Sequence, residues 1–177
     1  MTFRKANTFV FFVFVTVFLF TCTNKKDEEH NLPKDYKQKL EKINKVLIDK
    51  DAENIQQFIN RRGWEMNQSQ SGLRYMIYKP GNGKMVKKND LIKLNYKTWL
   101  IDGSLIYSSD STGAKIFRAG QGGVEAGLEE GVLLLDEGCK ARLILPPHLA
   151  HGLIGDGDKI PGRAIIVYDI ELVMVGQ

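Results

Sequence analysis

The stretch from Gly120 to Gly152, GQGGVEAGLEEGVLLLDEGCKARLILPPHLAHG, constrains the fold more than any other part of this chain, because it joins a short helix, a strand and a turn in one order. Val124 to Leu133 reads as the helix, Asp136-Glu137-Gly138 as the break after it, Cys139 to Leu145 as a strand, and Pro146-Pro147 as the turn. Few folds use that order. Leu133, Leu134 and Leu135 are expected in the core, as is Cys139, a small apolar residue inside a strand pattern.

The segments around this block have a period near two, the signature of strands with one buried face. Leu73, Tyr75 and Ile77 alternate with Arg74, Met76 and Tyr78, and Pro80-Gly81-Asn82-Gly83 then turns the chain. Ile92, Leu94, Tyr96 and Thr98 share one face of a second strand, and Asp102-Gly103 is a hairpin turn into a third, Ser104 to Ser108. Lys115 to Ala119 is a short strand and Ala164 to Val175 the last, so Val124 to Leu133 is the only helix expected in this half. One helix across an antiparallel sheet gives an α+β domain.

The front of the chain is different in kind. Arg4 and Lys5 precede an apolar run from Phe9 to Phe20, the layout of a secretory signal peptide, and the run is too short to span a bilayer as a helix. Residues 1–21 are therefore read as a signal peptide. Leu19-Phe20-Thr21-Cys22 resembles a bacterial lipoprotein cleavage box, which makes Cys22 the lipidated residue and the membrane a partner through that anchor. The alternative is an ordinary signal with an incidental cysteine. Loss of Arg4 and Lys5 would lower the formal charge from +4 to +2, a balance that points to no nucleic acid. With Cys22 acylated, Cys139 has no partner for a disulfide.

Residues 22–34 are polar and aperiodic and read as a tether. Lys26-Asp27-Glu28 within it resembles a surface-export address of Bacteroidetes lipoproteins, a charged linker being the alternative. Residues 35–71 form a helical linker or dimerisation segment. Leu40, Ile43, Leu47, Ile48, Ile55, Phe58 and Ile59 recur at helical spacing, Asp51 is placed to cap a second helix from Ala52, and Gly63 stands at a C-terminal cap. The narrow stripe suits either a helix docked on its own domain or a homodimer through paired helices.

The second half resembles the FKBP-type peptidyl-prolyl cis-trans isomerases, in a lipoprotein form like those of Bacteroidetes. The framework points are Tyr96, Asp102-Gly103, Phe117, Gly120, Val124, Gly127, Glu129-Glu130-Gly131, Gly138, Pro147, Gly152, Ile160-Pro161 and Asp169, matched without a gap from Leu91 to Leu172. The resemblance covers about residues 72–175, implies an antiparallel twisted sheet wrapped on one short helix, and places the domain at 72–177. It implies X-Pro peptide bonds in other polypeptides as substrate, no cofactor and no metal, and a folding helper for exported proteins in the bacterial cell envelope. The barrier of ~18–20 kcal/mol is amide resonance, so a cleft that strips water from the prolyl carbonyl and holds the chain by one donor is enough to speed rotation.

The resemblance assigns substrate-binding positions to Tyr96, Ile106, Val124, Glu125, Leu128, His151, Ile160 and Tyr168, with Tyr107, Lys115 and Asp156 also around the pocket. Tyr96, Tyr107 and His151 are the candidates for a direct catalytic role. Leu128 stands where the family usually has a Trp floor, Ile106 where it has an aromatic, and Tyr107 where it has an Asp. Glu125 is expected to act through its backbone N–H, and His151 to donate a ring N–H to a substrate carbonyl. Asp110 has no reason in strand alternation to reach inward.

Competing readings use some of the same residues. His148 and His151 with Asp156 and Asp158 suggest a metal site, but a Pro-Pro turn is not a helix and the resemblance already explains the segment. Gly120-Gln121-Gly122-Gly123 lacks the last glycine of a dinucleotide loop, where Glu125 stands. The second functional reading is a non-catalytic FKBP-like binding module of an envelope or gliding machine, suggested by Tyr107, Lys115 and Leu128.

Overall fold

The computed structural model describes residues 33–176; the expected signal peptide 1–21, the expected lipidation site Cys22 and the part of the expected tether before Pro33 lie outside the described residues. The first element is helix α1, Lys34–Arg62, unbroken over 29 residues. Asp51 therefore caps nothing. It lies inside α1 and accepts a hydrogen bond from Arg163 Nη2 at 2.6 Å. Gly63 does end the helix, at φ +62°, with its N–H bonded to Asn60 O and the Trp64 N–H to Ile59 O, the paired bonds of a Schellman end.

Residues up to Lys42 form one unit, in which Tyr36 and Leu40 of α1 are exposed. Residues from Ile43 onward form the other. Here Ile55, Phe58 and Ile59 bury against Ile144, Ile165 and Val167, with Trp64 and Trp99 beside them, while Ile43, Val46 and Ile48 stay exposed. The later part of the apolar stripe is thus a docked helix, one of the two arrangements its spacing allows. Among the described residues no helix is long and apolar enough to cross a membrane.

The sheet consists of β1 (Asn67–Gln68), β2 (Arg74–Lys79), β3 (Leu91–Leu100), β4 (Leu105–Ser108), β5 (Lys115–Arg118), β6 (Lys140–Leu145) and β7 (Ile166–Gly176). Its order is β1-β2-β6-β7-β3-β4, with β5 also on β3 and every pairing antiparallel. β1 corrects the expected domain boundary: Asn67 and Gln68 pair with Tyr75 and Arg74, so the sheet begins before residue 72. Alternation on β6 and β7 sends Ile144 and Val167 towards α1, and Leu143, Leu145, Ile166 and Tyr168 to the opposite face, where the main core lies.

Two short α-helices follow, and only the second lies on that core face. α2, Ser109–Thr112, is a single turn started by Ser108, whose hydroxyl accepts the Asp110 N–H at 3.1 Å. The sequence reading has no helix there, because one turn carries no periodicity. α3, Ala126–Val132, is shorter than the expected Val124 to Leu133. A Cβ on Gly127 would stand 2.5 Å from Leu145 Cγ, and one on Gly131 2.5 Å from Leu143 Cδ1. The two glycines, one turn apart, therefore let α3 lie directly on β6. Beyond α3 the chain tightens into turns that bury Leu135 but leave Leu133 and Leu134 exposed, against expectation. Cys139 is buried and free, and burial pushes its thiol pKa up.

Candidate active site

β3 pairs with β7 along its length, with one register shift between Lys93 and Leu94, and this sets Tyr96 and Tyr168 side by side with ring centroids 6.2 Å apart and planes tilted by 51°. Leu128 comes from α3 and Ile160 from the segment before β7, both buried, while Ile106 and Val124 pack at the edge of the same cluster. Six of the expected substrate-binding residues thus belong to one apolar cluster, of which Val124 reaches the cleft beside Lys115 and His151. The Tyr96 hydroxyl is already paired, with Thr112 Oγ1 at 2.8 Å, so α2 fixes the ring.

The remaining two, Glu125 and His151, join through polar contacts. The Glu125 side chain is only 9% exposed; its Oε1 accepts the Tyr168 hydroxyl at 2.7 Å and lies 3.1 Å from His151 Nε2. Lys115 Nζ approaches Oε2 at 3.5 Å and donates to the Tyr168 oxygen at 3.3 Å. Its ammonium stands 5.1 Å from the centre of the Tyr96 ring and 5.6 Å from that of Tyr168.

Burial by itself raises the Glu125 pKa, but Lys115 and the hydrogen bonds around the carboxyl outweigh it and hold it below the ordinary value. Burial and the neighbouring Glu125 charge push the Tyr168 hydroxyl far up. An ionised carboxylate only accepts, so the proton on His151 belongs on Nε2, facing Glu125. Two expectations change. Glu125 brings a carboxylate into the pocket as well as a backbone N–H, and the Nε2–H of His151 is committed to Glu125 rather than to a substrate carbonyl. The Glu125 N–H donates to no backbone carbonyl among the described residues.

Tyr107 points elsewhere. Its hydroxyl donates to Asp156 Oδ2 at 2.5 Å, with Asp158 Oδ2 at 3.3 Å and Lys159 over the ring. The hydrogen bond to Asp156, helped by burial, raises its pKa to about 12. Burial pushes the Asp156 carboxyl up, but the Tyr107 hydroxyl and the N–H groups of Asp158 and Ile160 outweigh it and bring the pKa to about 2. Tyr107 and Asp156 therefore pin the segment between His151 and Ile160. Asp110 is exposed and pairs with Lys97 at 3.4 Å, turned away from the pocket.

Glu129 is the functional residue that spacing did not single out. Its buried carboxylate accepts the N–H groups of Gly120, of Gly122 at 2.9 Å and of Gly123 at 3.2 Å. Gly120 and Gly122 have positive φ, which points successive N–H groups inward. The glycine loop thus wraps a side chain of its own fold and delivers Val124 and Glu125 to the pocket. A cleft of about 390 Å³, lined by Lys115, Gly122 to Glu125, Ala150 and His151, opens beside it. The groove of about 400 Å³ between Asn95, Lys97, Lys140 and Glu171 is lined by ion-paired side chains and does not suit a prolyl ring. His148 Nε2 lies 2.9 Å from Ser71 O, so the two histidines face different partners.

The family model for FKBP-type peptidyl-prolyl cis-trans isomerases matches residues 82–173. The chain belongs to that family. Among curated FKBP relatives, a probable FkpA isomerase of Neisseria meningitidis is 42% identical over 107 residues, 60% of this chain and 39% of that protein. FkpA of Aeromonas hydrophila is 34% identical over 157 residues, 84% of this chain and 58% of that protein. The chain thus spans between about two fifths and three fifths of the length of these two relatives. The crystal structure of AtFKBP13 superposes with a TM-score of 0.61 at 33% identity, over 64% of this chain and all of that one. An isomerase structure from Pseudomonas syringae gives a TM-score of 0.61 at 25% identity, over 73% of this chain and 96% of that one. The FKBP fold expected from the sequence is the fold observed.

Proposed function

We propose that this chain is a peptidyl-prolyl cis-trans isomerase that acts on X-Pro bonds of other polypeptides. The observation that carries the reading is that Tyr96, Leu128, Val124, Ile160 and Tyr168, the positions the family uses for its pocket, gather in one apolar cluster with the two tyrosine rings 6.2 Å apart. A prolyl ring seated there loses water around its carbonyl, which weakens amide resonance and favours the twisted state. The Glu125 N–H, which donates to no backbone carbonyl among the described residues, is the donor that fixes the neighbouring carbonyl. Lowering the barrier by ~4 kcal/mol gives roughly a thousandfold. A proline-peptide isomerisation assay tests the reading, and a rate equal to buffer contradicts it.

A wider role is supported by the sequence pattern of residues 1–22 and by the exposed side chains of α1. The signal segment 1–21 and Cys22 support a lipid-anchored folding helper in the cell envelope; mass spectrometry of the mature N-terminus, with Cys22→Ala as control, tests the anchor. The exposed residues Tyr36, Leu40, Ile43 and Val46 on α1 support pairing with a second copy, which sedimentation of the purified chain tests.

One observation favours a second reading, a non-catalytic binding module of an envelope machine: the Lys115 ammonium stands against both tyrosine faces. Purification from membranes without any stable partner counts against it.

A further inference from the structure

We propose that Lys115 is the specificity-determining residue of this cleft and that it favours X-Pro segments with an acidic residue next to the proline. The place of the proline rests on the isomerase reading; the rest follows from geometry.

The Lys115 ammonium lies 5.1 Å and 5.6 Å from the two tyrosine ring centres, the flat apolar surfaces a prolyl ring would use. Ammonium and proline compete for them. The hold on Lys115 is loose, at 3.5 Å to Glu125 and 3.3 Å to the Tyr168 oxygen, and its side chain is 27% exposed at the edge of the 390 Å³ cleft. Glu125 keeps two nearer partners when Lys115 leaves, Tyr168 at 2.7 Å and His151 at 3.1 Å. Lys115 therefore swings out at the cost of one long contact, to Glu125 Oε2, while Oε1 keeps both of its partners.

Once displaced, the ammonium needs a new acceptor. Besides Lys115 and Glu125, the partner it has left, the cleft is lined by Gly122, Gly123, Val124, Ala150 and His151, none of them acidic, and the Glu129 carboxylate is occupied by the loop N–H groups. A carboxylate beside the bound proline supplies the acceptor and draws Lys115 off the tyrosines. A neutral neighbour supplies nothing, and a basic one adds repulsion.

The test measures turnover and Kd for peptides with Glu, Leu or Lys beside the proline, using the full chain, Lys115→Met and Lys115→Arg. The wild type should favour Glu over Leu about fivefold, the weight of one partly shielded ion pair, mainly in KM. Lys115→Met should erase the preference by gaining on the Leu peptide, and Lys115→Arg should retain it. High salt should shrink the wild-type preference, a readout that does not depend on any variant folding. Equal values for Glu and Leu in the wild type, a preference unaltered in Lys115→Met, or one indifferent to salt overturns the proposal. A Glu preference in Kd without turnover upholds it while contradicting the isomerase reading.

Discussion

Tyr168 donates its hydroxyl to Glu125 at 2.7 Å beneath the pocket, joining the central strand β7 to the residue that starts α3. The bond explains how a carboxylate is held in the cleft beside Lys115 and His151. Tyr168→Phe keeps the ring and removes the donor, leaving Glu125 buried with only His151 and the more distant Lys115. Chemical denaturation should show a loss of about 1–3 kcal/mol. A change within error of zero would mean that the hydroxyl and Glu125 are not coupled.

Tyr107 acts on the loop rather than on the substrate. Tyr107→Phe should speed amide exchange across residues 156–160 by roughly fivefold to tenfold, the effect of losing one charge-assisted bond partly screened by water. Tyr107→Asp restores the residue type usual in the family, yet sets a third carboxylate against Asp156 and Asp158. It should loosen the loop further and lower activity. Higher activity in Tyr107→Asp would show that the carboxylate, not the loop, is limiting.

Asp156 gives this loop a pH dependence of definite sign. Its pKa falls from 3.8 to about 2 on folding, so its contribution is complete above the unfolded value and is lost as pH falls through the folded one. The stability difference between wild type and Asp156→Asn should be constant near neutral pH, shrink below 3.8 and vanish by about 2. A difference that grows on acidification would assign the wrong ionisation state to Asp156.

Glu129→Ala removes the acceptor of three loop N–H groups. The expected result is a loss of at least about 2 kcal/mol, with fast exchange across 120–125. Native protection in that segment would show that the loop holds itself.

These relationships also mark the limit of what the chain disclosed as a string of letters. The block from Val124 to Leu145 announced a helix followed by a strand, and the alternation of Ile92, Leu94 and Tyr96 gave β3 and its buried face, because both signals are local. Tyr96, Leu128, Ile160 and Tyr168 could be placed in one pocket on the strength of the family resemblance. The directions of polar side chains could not. Glu125 turns inward because Tyr168 and Lys115 await it from β7 and β5, and Tyr107 turns to Asp156, whose position is fixed by a distant loop. Single-turn α2 and two-residue β1 fell below the length at which any period can be read.

The most direct measurement is the cis-to-trans rate of an X-Pro peptide at increasing concentrations of the purified full-length chain. The account predicts a rate that rises in proportion to the protein, saturates with substrate and falls when Tyr96, Leu128 or Tyr168 is replaced by alanine in a protein that still folds. A rate equal to that in buffer at every concentration, with the native fold intact, would contradict it.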